Sequence, residues 1–392
     1  MTEDATGTDM PAQPEVPARM AAARGSRNDH TRRHNLSSLV TAVHYGGPLT
    51  RAQLTRDTGL NRSTIGGLVT ELAELGLVIE DAAAETGAVG RPSLIVRPRV
   101  DVAALALHPD VDALELGAVA IDGTVVARRR TSVDAPPTPA DAVAFAREAA
   151  RDIAAEMPGL RVVGAGAAVP GLVAIDGSTV VAAPHLGWRD VDLGAALAEV
   201  FDFPIAVGND ANMGLRAEWS FGSARGVDTV VYLNGSASGI GGAALVGGRM
   251  LRGGRGYGGE FGHMMIRSDG DRCSCGRSGC LETELNAHRL DAAAHDAPAF
   301  DALASTLATA IANLECAFDP DLVLLGGYLG ALFDARRDLV AARVRELAFR
   351  PDAEDVAIAR ARLGRNRLLI GAAERAFAPL LEDPAGVPLV AL

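Results

Sequence analysis

Two neighbouring segments decide how this sequence is interpreted: GEFGH at residues 259–263 and CSCGRSGCLE at residues 273–282. They bring together one imidazole and three thiols, the Cys₃His set that binds Zn²⁺ tetrahedrally. Four protein ligands leave no open position for water, so the pattern predicts a structural zinc ion in a loop over residues 263–282. Gly276 and Gly279 are placed for the reversals of such a loop. The expected ligands are His263, Cys273, Cys275 and Cys280.

The alternative for this segment is three buried free cysteines. The chain has only four cysteines, too few for a disulfide scaffold, which favours a reducing compartment. The fourth, Cys316, stands in an apolar helical pattern and is predicted to be a core residue. The first thirty residues lack the apolar stretch of a secretory signal, and no window approaches the length of a membrane span. We therefore expect a cytoplasmic protein with no membrane partner.

Composition describes a globular chain with an uneven charge. Its 392 residues, 48% hydrophobic and 22% charged, suit two or three domains. The formal net charge is −12, yet residues 19–70 carry eight Arg and only two acids, about +6. A basic module on an acidic body indicates a polyanion partner for the module, although a solvated basic face is the alternative.

The N-terminal hundred residues have the pattern of a winged helix-turn-helix. Residues 1–30 show no periodicity and are predicted to be a disordered tail, followed by a DNA-binding domain at 31–99. The first helix buries one face from Leu36 to Val43, and Thr50 with Gln53 forms a capping box for the second. Gly59 supplies the turn, and a third helix follows it. The apolar face of that third helix is Ile65, Leu68, Val69 and Leu72.

In this plan the third helix enters the DNA major groove with its N-terminus first. Two short strands at residues 77–79 and 94–96 would enclose a wing whose arginine reaches a minor groove. The pair Gly66-Gly67 either weakens the third helix until it docks or brings its backbone close to DNA. A small three-helix module for protein contact is the alternative. The expected DNA contacts are Arg51, Asn61, Arg62, Ser63, Thr64, Thr70 and Arg91.

From Val100 onward, strand-like and helix-like stretches alternate, which predicts an α/β domain of two lobes over residues 100–392. Strands are expected at Ala103–Leu107, Gly117–Ile121, Val162–Ala168, Ile205–Val207, Thr229–Leu233, Ala243–Val246 and Leu322–Leu325. Helices are expected at Pro139–Glu156, Leu193–Val200, Asp210–Ser220, Ala299–Ala317 and Ala331–Leu347.

Several motifs together resemble the ROK family (repressor, open reading frame, kinase), and specifically its XylR/NagC-type regulators. The resemblance runs from about Asn35 to the C-terminus and is most specific over residues 259–282. The other motifs that carry it are VPGL at 169–172, GNDAN at 208–212, GIGG at 239–242 and LGG at 325–327.

The resemblance implies an actin-like fold of the sugar-kinase type, with two lobes closing on a hexose-like ligand. Carboxylate and amide groups at the matching positions would bind sugar hydroxyls. His263 would then bind zinc with one ring nitrogen and sugar with the other. By the same resemblance, Asp210 corresponds to the general base of the family's kinases. The implied sugar contacts are Asn209, Asp210, Glu260, His263 and Glu282.

One departure from the family pattern concerns phosphoryl transfer. The family's kinases have an Asp-x-Gly-Gly-Thr turn whose backbone N–H groups approach ATP phosphates. The corresponding residues 105–113 have no glycine or threonine and add Asp110 and Asp112. Two carboxylates repel a triphosphate, so we expect catalysis to be lost. A second departure is His185, which either alters sugar preference or is a lone surface histidine.

The sequence therefore predicts a sugar-responsive DNA-binding repressor, active as a homodimer or a dimer of dimers on a pseudo-palindromic operator. One alternative is an active ATP-dependent sugar kinase with Asp210 as general base. Another is a regulator whose signal is a partner protein.

Overall fold

A computed structural model of the chain describes residues 27–82, 94–349 and 355–392. Its N-terminal part has three helices and a small antiparallel sheet in which β3 lies between β1 and β2. The bounds of these elements are α1 (Arg27–Gly46), β1 (Leu49–Thr50), α2 (Arg51–Thr58), α3 (Arg62–Glu74), β2 (Val78–Ala82) and β3 (Leu94–Pro98).

Local side-chain contacts start and end these helices as the sequence predicts. The Thr50 hydroxyl accepts from the backbone of Gln53, whose side chain accepts from the Thr50 N–H, forming the capping box of α2. Gly59 ends α2 with a left-handed φ of 71°. The Asn61 side chain accepts from the backbone N–H of Thr64 at 2.9 Å and starts α3.

One expectation for the N-terminal part needs correction, and others concern residues outside the described ranges. Helix α1 begins at Arg27, so residues 27–30, which were expected in the tail, are helical. Residues 1–26 and the wing with Arg91 lie outside the described residues.

The first lobe of the body is built on one mixed sheet. Its strand order is β11-β7-β4-β5-β6. The C-terminal strand β17, residues Val390–Ala391, also pairs with β7, and β8, β9 and β10 form a separate antiparallel sheet. The elements are β4 (Val102–Pro109), β5 (Ala113–Ala120), β6 (Val125–Ser132), α4 (Pro139–Glu156), β7 (Arg161–Val169), β8 (Leu172–Val173), β9 (Thr179–Ala183), β10 (Trp188–Asp192), α5 (Leu193–Ala198), β11 (Ile205–Asn209) and α6 (Asp210–Phe221).

The second lobe repeats this topology with the order β14-β13-β12-β15-β16. In both sheets the first and second strands are antiparallel, and the first strand pairs in parallel with the fourth. The elements are β12 (Val230–Ser236), β13 (Gly239–Val246), β14 (Arg249–Met250), α7 (Leu281–Glu284), α8 (Ala287–Ala292), α9 (Ala297–Phe318), β15 (Leu322–Gly326), α10 (Gly327–Ala335), α11 (Arg337–Leu347) and β16 (Ala357–Arg360). The chain then returns to the first lobe with α12 (Arg367–Glu382) and β17 (Val390–Ala391).

Three features of the body differ from the sequence expectations. The helix expected at Ala331–Leu347 is two helices, because Arg336 leaves the helical region with φ −137°. Cys316 is exposed rather than a core residue. It follows the buried Leu314 by two positions, which turns it about 200° around α9. The helix α12 was not predicted at all, although it packs on β4, β5 and β7.

Helix α1 is joined to α12 by a shared hydrophobic core and by a buried polar contact. Leu36, Leu39 and Val43 pack in one cluster with Leu369 and Phe377. At its centre, His44 Nε2 lies 2.8 Å from the Glu374 carboxylate, and both side chains are almost fully buried. Glu374 also accepts hydrogen bonds from the Tyr45 and Ser220 hydroxyls at 3.1 and 2.8 Å. Burial opposes ionisation of Glu374, but the charge and hydrogen bond of His44 outweigh it and hold the pKa of this carboxyl below its usual value.

Among the described residues, no helix is both long enough and apolar enough to cross a bilayer.

We expect His44→Ala to lower the free energy of unfolding by about 3 kcal/mol, because it removes a hydrogen-bond partner from a buried carboxylate. Denaturant unfolding at pH 7 measures this. Since the folded-state pKa of Glu374 is lowered, its stabilisation is present above the ordinary pKa of 4.5 and is lost as pH falls. The difference between the variant and the wild-type protein should therefore shrink in acid. His34→Ala, at an exposed position of the same helix, is the control and should change stability little.

Candidate functional site

A cavity of about 430 Å³ lies between the two lobes. The first lobe contributes the residues that follow β7 and the junction of β11 with α6. The second lobe contributes β13, the turn at Phe261–His263 and the cysteine loop. All five residues that the family resemblance assigns to sugar line this cavity, namely Asn209, Asp210, Glu260, His263 and Glu282.

Asn209 and Asp210 form the floor of the cavity at the start of α6. The Asn209 side chain caps this helix by accepting from the Asn212 backbone at 3.0 Å, and its amide donates to the Gly171 carbonyl at 3.1 Å. Asp210 accepts from the Ala211 backbone at 2.8 Å. Burial is the main cause that raises the pKa of Asp210, and the nearby Asp110 adds to it. Asn209 is therefore a structural cap as well as a cavity residue.

The cavity gathers three carboxyl groups, and this lowers the acidity of one of them. Loss of solvent around Glu260, together with the charges of Asp210 and Glu282, raises its pKa to about 7. A carboxyl group near this pKa can donate or accept a hydrogen bond at neutral pH. Such a mixed set of donors and acceptors suits a ligand with several hydroxyl groups.

The cysteine loop brings its four expected ligands together. Their ligand atoms all lie within 4.8 Å of one another. Cys275 Sγ is 3.6 Å from Cys280 Sγ, and Cys273 Sγ is 3.5 Å from His263 Nδ1. A tetrahedron with metal–sulfur bonds of about 2.3 Å has sulfur–sulfur edges of about 3.8 Å, so the donor set and its spacing fit zinc.

Chain geometry and charge support this arrangement of the loop. Gly276 and Gly279 both have positive φ, as the sequence predicts for the loop reversals. A Cβ on Gly279 would lie 1.5 Å from the Arg267 carbonyl oxygen, so only glycine fits there. Burial opposes ionisation of Cys275, but hydrogen bonds from Arg277 outweigh it and lower the pKa of the thiol to about 7. This favours the thiolate, the form that binds metal.

The cysteine loop also positions two cavity side chains. His263 turns Nδ1 toward Cys273, and Glu282 Oε1 lies 2.9 Å from the Cys273 sulfur and 3.4 Å from that same ring nitrogen. Both residues line the cavity. The ligands of the candidate metal site are thus in direct contact with the polar wall of the cavity.

Some cavity residues were not predicted as ligand contacts. Tyr257, Arg277 and Ser238 line it. His185, which was expected either to alter sugar preference or to be a lone surface histidine, also lines the cavity and has an exposed side chain. Arg277 could have been suspected, because a cation between two metal-binding cysteines is rarely far from their site. Tyr257 stands in a glycine-rich stretch with no recognisable pattern.

The stretch that replaces the kinase phosphate turn forms the end of the β4–β5 hairpin, close to Asp210. His108 is buried there, and its Nδ1 lies 2.8 Å from the Ala168 carbonyl oxygen. Burial disfavours the charged imidazole, but Asp110, 3.7 Å from Nε2, outweighs it and raises the pKa of His108. The charges of both His108 and Asp110 act on Asp210. A carboxylate and an imidazole thus stand beside Asp210 at the end of this hairpin.

The residues expected to contact DNA differ in their availability. Arg62 and Ser63 are exposed at the start of α3, with Thr64 partly exposed beside them. Thr70 is exposed, but its hydroxyl donates to the Gly66 carbonyl within the helix at 3.1 Å. Arg51 is bound by Glu80 through two hydrogen bonds of 2.6 and 2.5 Å.

The two glycines of α3 have different surroundings. A Cβ on Gly66 would meet the Arg51 guanidinium at 3.3 Å, whereas Gly67 faces open space. Of the two glycines, only Gly67 thus leaves the adjacent backbone open.

Comparison with known proteins relates this fold and site to a family. Residues 111–299 match the model of the ROK family. The xylose repressor of Bacillus subtilis is 30% identical over 254 residues, which is 63% of this chain and 64% of the repressor. A solved structure described as a ROK family transcriptional regulator, a homolog of the E. coli MLC protein, superposes with a TM-score of 0.73 at 22% identity. It covers 90% of this chain and 98% of the other. The ROK hexokinase from Thermus thermophilus superposes with a TM-score of 0.61 at 29% identity, over 71% of this chain and 99% of the hexokinase.

Residues 111–299 are therefore similar to the ROK family domain, and the chain shares the two-lobed α/β fold of the solved ROK structures. The alignment with the xylose repressor spans just under two thirds of that protein.

Cys280→Ser should abolish zinc binding, because three remaining ligands cannot close a tetrahedral structural site. Metal content of the purified protein, measured by mass spectrometry, checks this. Cys316→Ser removes an exposed cysteine outside the loop and should leave one zinc per chain. Equal zinc content in the two variants would contradict the assignment of the site.

Proposed function

We propose that this protein is a sugar-responsive, DNA-binding transcriptional repressor whose ROK domain binds a hexose-like effector without phosphorylating it. The observation that carries the proposal is a polar cavity between two lobes, in the same chain as a basic helix-turn-helix module packed onto one of those lobes. Similarity to the B. subtilis xylose repressor supports the same function.

In this proposal the effector is bound by the residues around the cavity. Asp210, Glu260 and Glu282 accept hydrogen bonds from sugar hydroxyls, and Glu260 donates one when protonated. Asn209 and His263 complete the set. A zinc ion held by His263, Cys273, Cys275 and Cys280 would have a structural role, keeping the cysteine loop folded so that His263 and Glu282 face the ligand.

Loss of phosphoryl transfer follows from the β4–β5 hairpin. A kinase needs close backbone N–H groups at this position to hold the phosphates of ATP. Here His108 is bound to the Ala168 carbonyl, and Asp110 and Asp112 stand at the turn. The two acids disfavour a polyanion. Asp210 would then be a sugar contact that no longer acts as a base.

Helix α6 offers a direct route from effector to DNA. Its first residue, Asp210, lies in the cavity, and near its other end Ser220 donates to Glu374. Glu374 in turn contacts His44 and Tyr45 of α1. Twelve helical residues span about 18 Å, so one rigid element joins the cavity to the base of the DNA module. A coupling free energy of about 1–3 kcal/mol along it would change operator affinity about 5–150-fold.

DNA binding is assigned to residues 31–99 and effector binding to residues 100–392. The start of α3, with Arg62, Ser63 and Thr64, would read the major groove. Arg91 would reach a minor groove from the wing. A homodimer acting in the cytoplasm would place two such modules on the half-sites of a pseudo-palindrome. Because Arg51 is bound by Glu80, the proposal does not depend on it.

The test is operator affinity of the purified protein with and without each of a panel of hexoses and pentoses, together with a coupled assay for ADP release. We expect one sugar to change operator affinity and none to release ADP. Asp210→Asn should abolish the sugar response, whereas Asp269→Asn, at an exposed site on the second lobe, should keep it.

A second candidate, a sugar kinase, is favoured by the position of Asp210 in the cavity. Sugar-dependent ADP release that is lost in Asp210→Asn would establish it and overturn the proposal. Operator affinity that no sugar changes would instead describe a constitutive DNA-binding protein or one that responds to a partner.

Arg62→Ala should weaken operator binding and reduce the slope of log affinity against log salt by about 1 if it contacts a phosphate. If it reads a guanine instead, it should cost about 1–3 kcal/mol at that base pair only. Fluorescence anisotropy at several salt concentrations separates the two. Arg151→Ala, on an exposed face of α4, is the control and should change neither affinity nor slope.

A further inference from the structure

A second, smaller pocket lies on the other side of the β11–α6 junction from the polar cavity. Its volume is about 70 Å³, and its walls come from the β8–β9 hairpin, α6, α12 and the loop after β14. Since one water needs about 10–15 Å³ of such space, the pocket has room for a group of four or five non-hydrogen atoms.

Three arginines from three different elements converge on this pocket: Arg216 of α6, Arg252 of the loop and Arg375 of α12. Among the described residues, no carboxylate forms an ion pair with any of them. The charge of Arg216 acts on Glu374, but the oxygens of that carboxylate are already bound by His44, Tyr45 and Ser220. The pocket is therefore a concentration of positive charge without a matching counter-charge.

A glycine leaves space for the Arg375 side chain beside this pocket. A Cβ on Gly177 would lie 3.3 Å from the Arg375 guanidinium, and this glycine has a left-handed φ of +70°. Burial, followed by the charges of Arg252 and Arg216, lowers the pKa of Arg375. Like charges held together in a partly buried site are unfavourable for folding, and an anion between them removes that cost.

We propose that Arg216, Arg252 and Arg375 form a binding site for a phosphate-sized oxyanion, distinct from the hexose cavity. Guanidinium groups bind tetrahedral oxyanions through paired N–H donors, and three of them at one point favour a doubly charged anion over chloride. Inorganic phosphate and the phosphoryl group of a small monoester share this chemistry.

Isothermal titration calorimetry of the full chain with inorganic phosphate, with methyl phosphate and with chloride at matched ionic strength tests the site. We expect saturable binding of phosphate and none of chloride. Tighter binding of methyl phosphate would identify a phosphoryl group as the ligand, and binding of phosphate alone would identify the free ion. Because the site does not depend on hexose or operator binding, its failure would leave the proposed function untouched.

Arg252→Gln, at an exposed position that is safe for folding, should weaken phosphate binding about tenfold or more, the loss expected for one charge-assisted hydrogen bond. Arg375→Gln should weaken it at least as much. Arg255→Gln, an exposed arginine of the same loop that does not line the pocket, should bind normally. Absence of saturable phosphate binding, or equal affinity in all three variants, would overturn the proposal.

Discussion

The buried carboxylate of Glu374 is the group on which the arrangement of this chain depends. Removing a carboxylate from water costs several kcal/mol unless neighbouring groups replace its hydration. Here the replacement comes from His44 and Tyr45 of α1 and from Ser220 of α6. These helices cannot separate without leaving the charge unsatisfied. The N-terminal three-helix module is therefore held against the lobe by a specific polar contact at the centre of a continuous apolar core.

Local chemistry made part of this structure predictable from the sequence. The capping box at Thr50, the cap at Asn61 and the turn at Gly59 act within a few residues, so their geometry follows from neighbouring side chains. The Cys₃His set was equally visible, because a tetrahedral site has a short list of acceptable ligands and spacings. The cavity residues were predicted only through the family resemblance, since no local rule brings residues 209 and 282 together.

The features that sequence reasoning missed depend on distant contacts. Helix α12 contains Gly371 and Pro379, which argue against a helix locally. Yet a Cβ on Gly371 would lie 1.9 Å from the Met213 carbonyl oxygen, so the glycine is required by close packing on α6. The break at Arg336 and the ion pair between Arg51 and Glu80 likewise have no local signature. The exposure of Cys316 was predicted wrongly, because an apolar composition indicates a buried helix but does not show which side of α9 faces the rest of the lobe.

The continuous core between α1 and the first lobe also limits how the N-terminal module can be exchanged. An N-terminal module that is joined to its partner domain by a flexible linker can be exchanged by simple recombination. Here Leu36, Leu39 and His44 pack against α12, so a module taken from another protein would need matching residues on this face of α1. Chimeras that replace only the exposed residues of α3 should fold. Chimeras that take α1 from another protein would lose its packing against α12. Under the proposed function, the preferred operator changes through substitutions on the exposed side of α3, while the packing between α1 and the first lobe is kept.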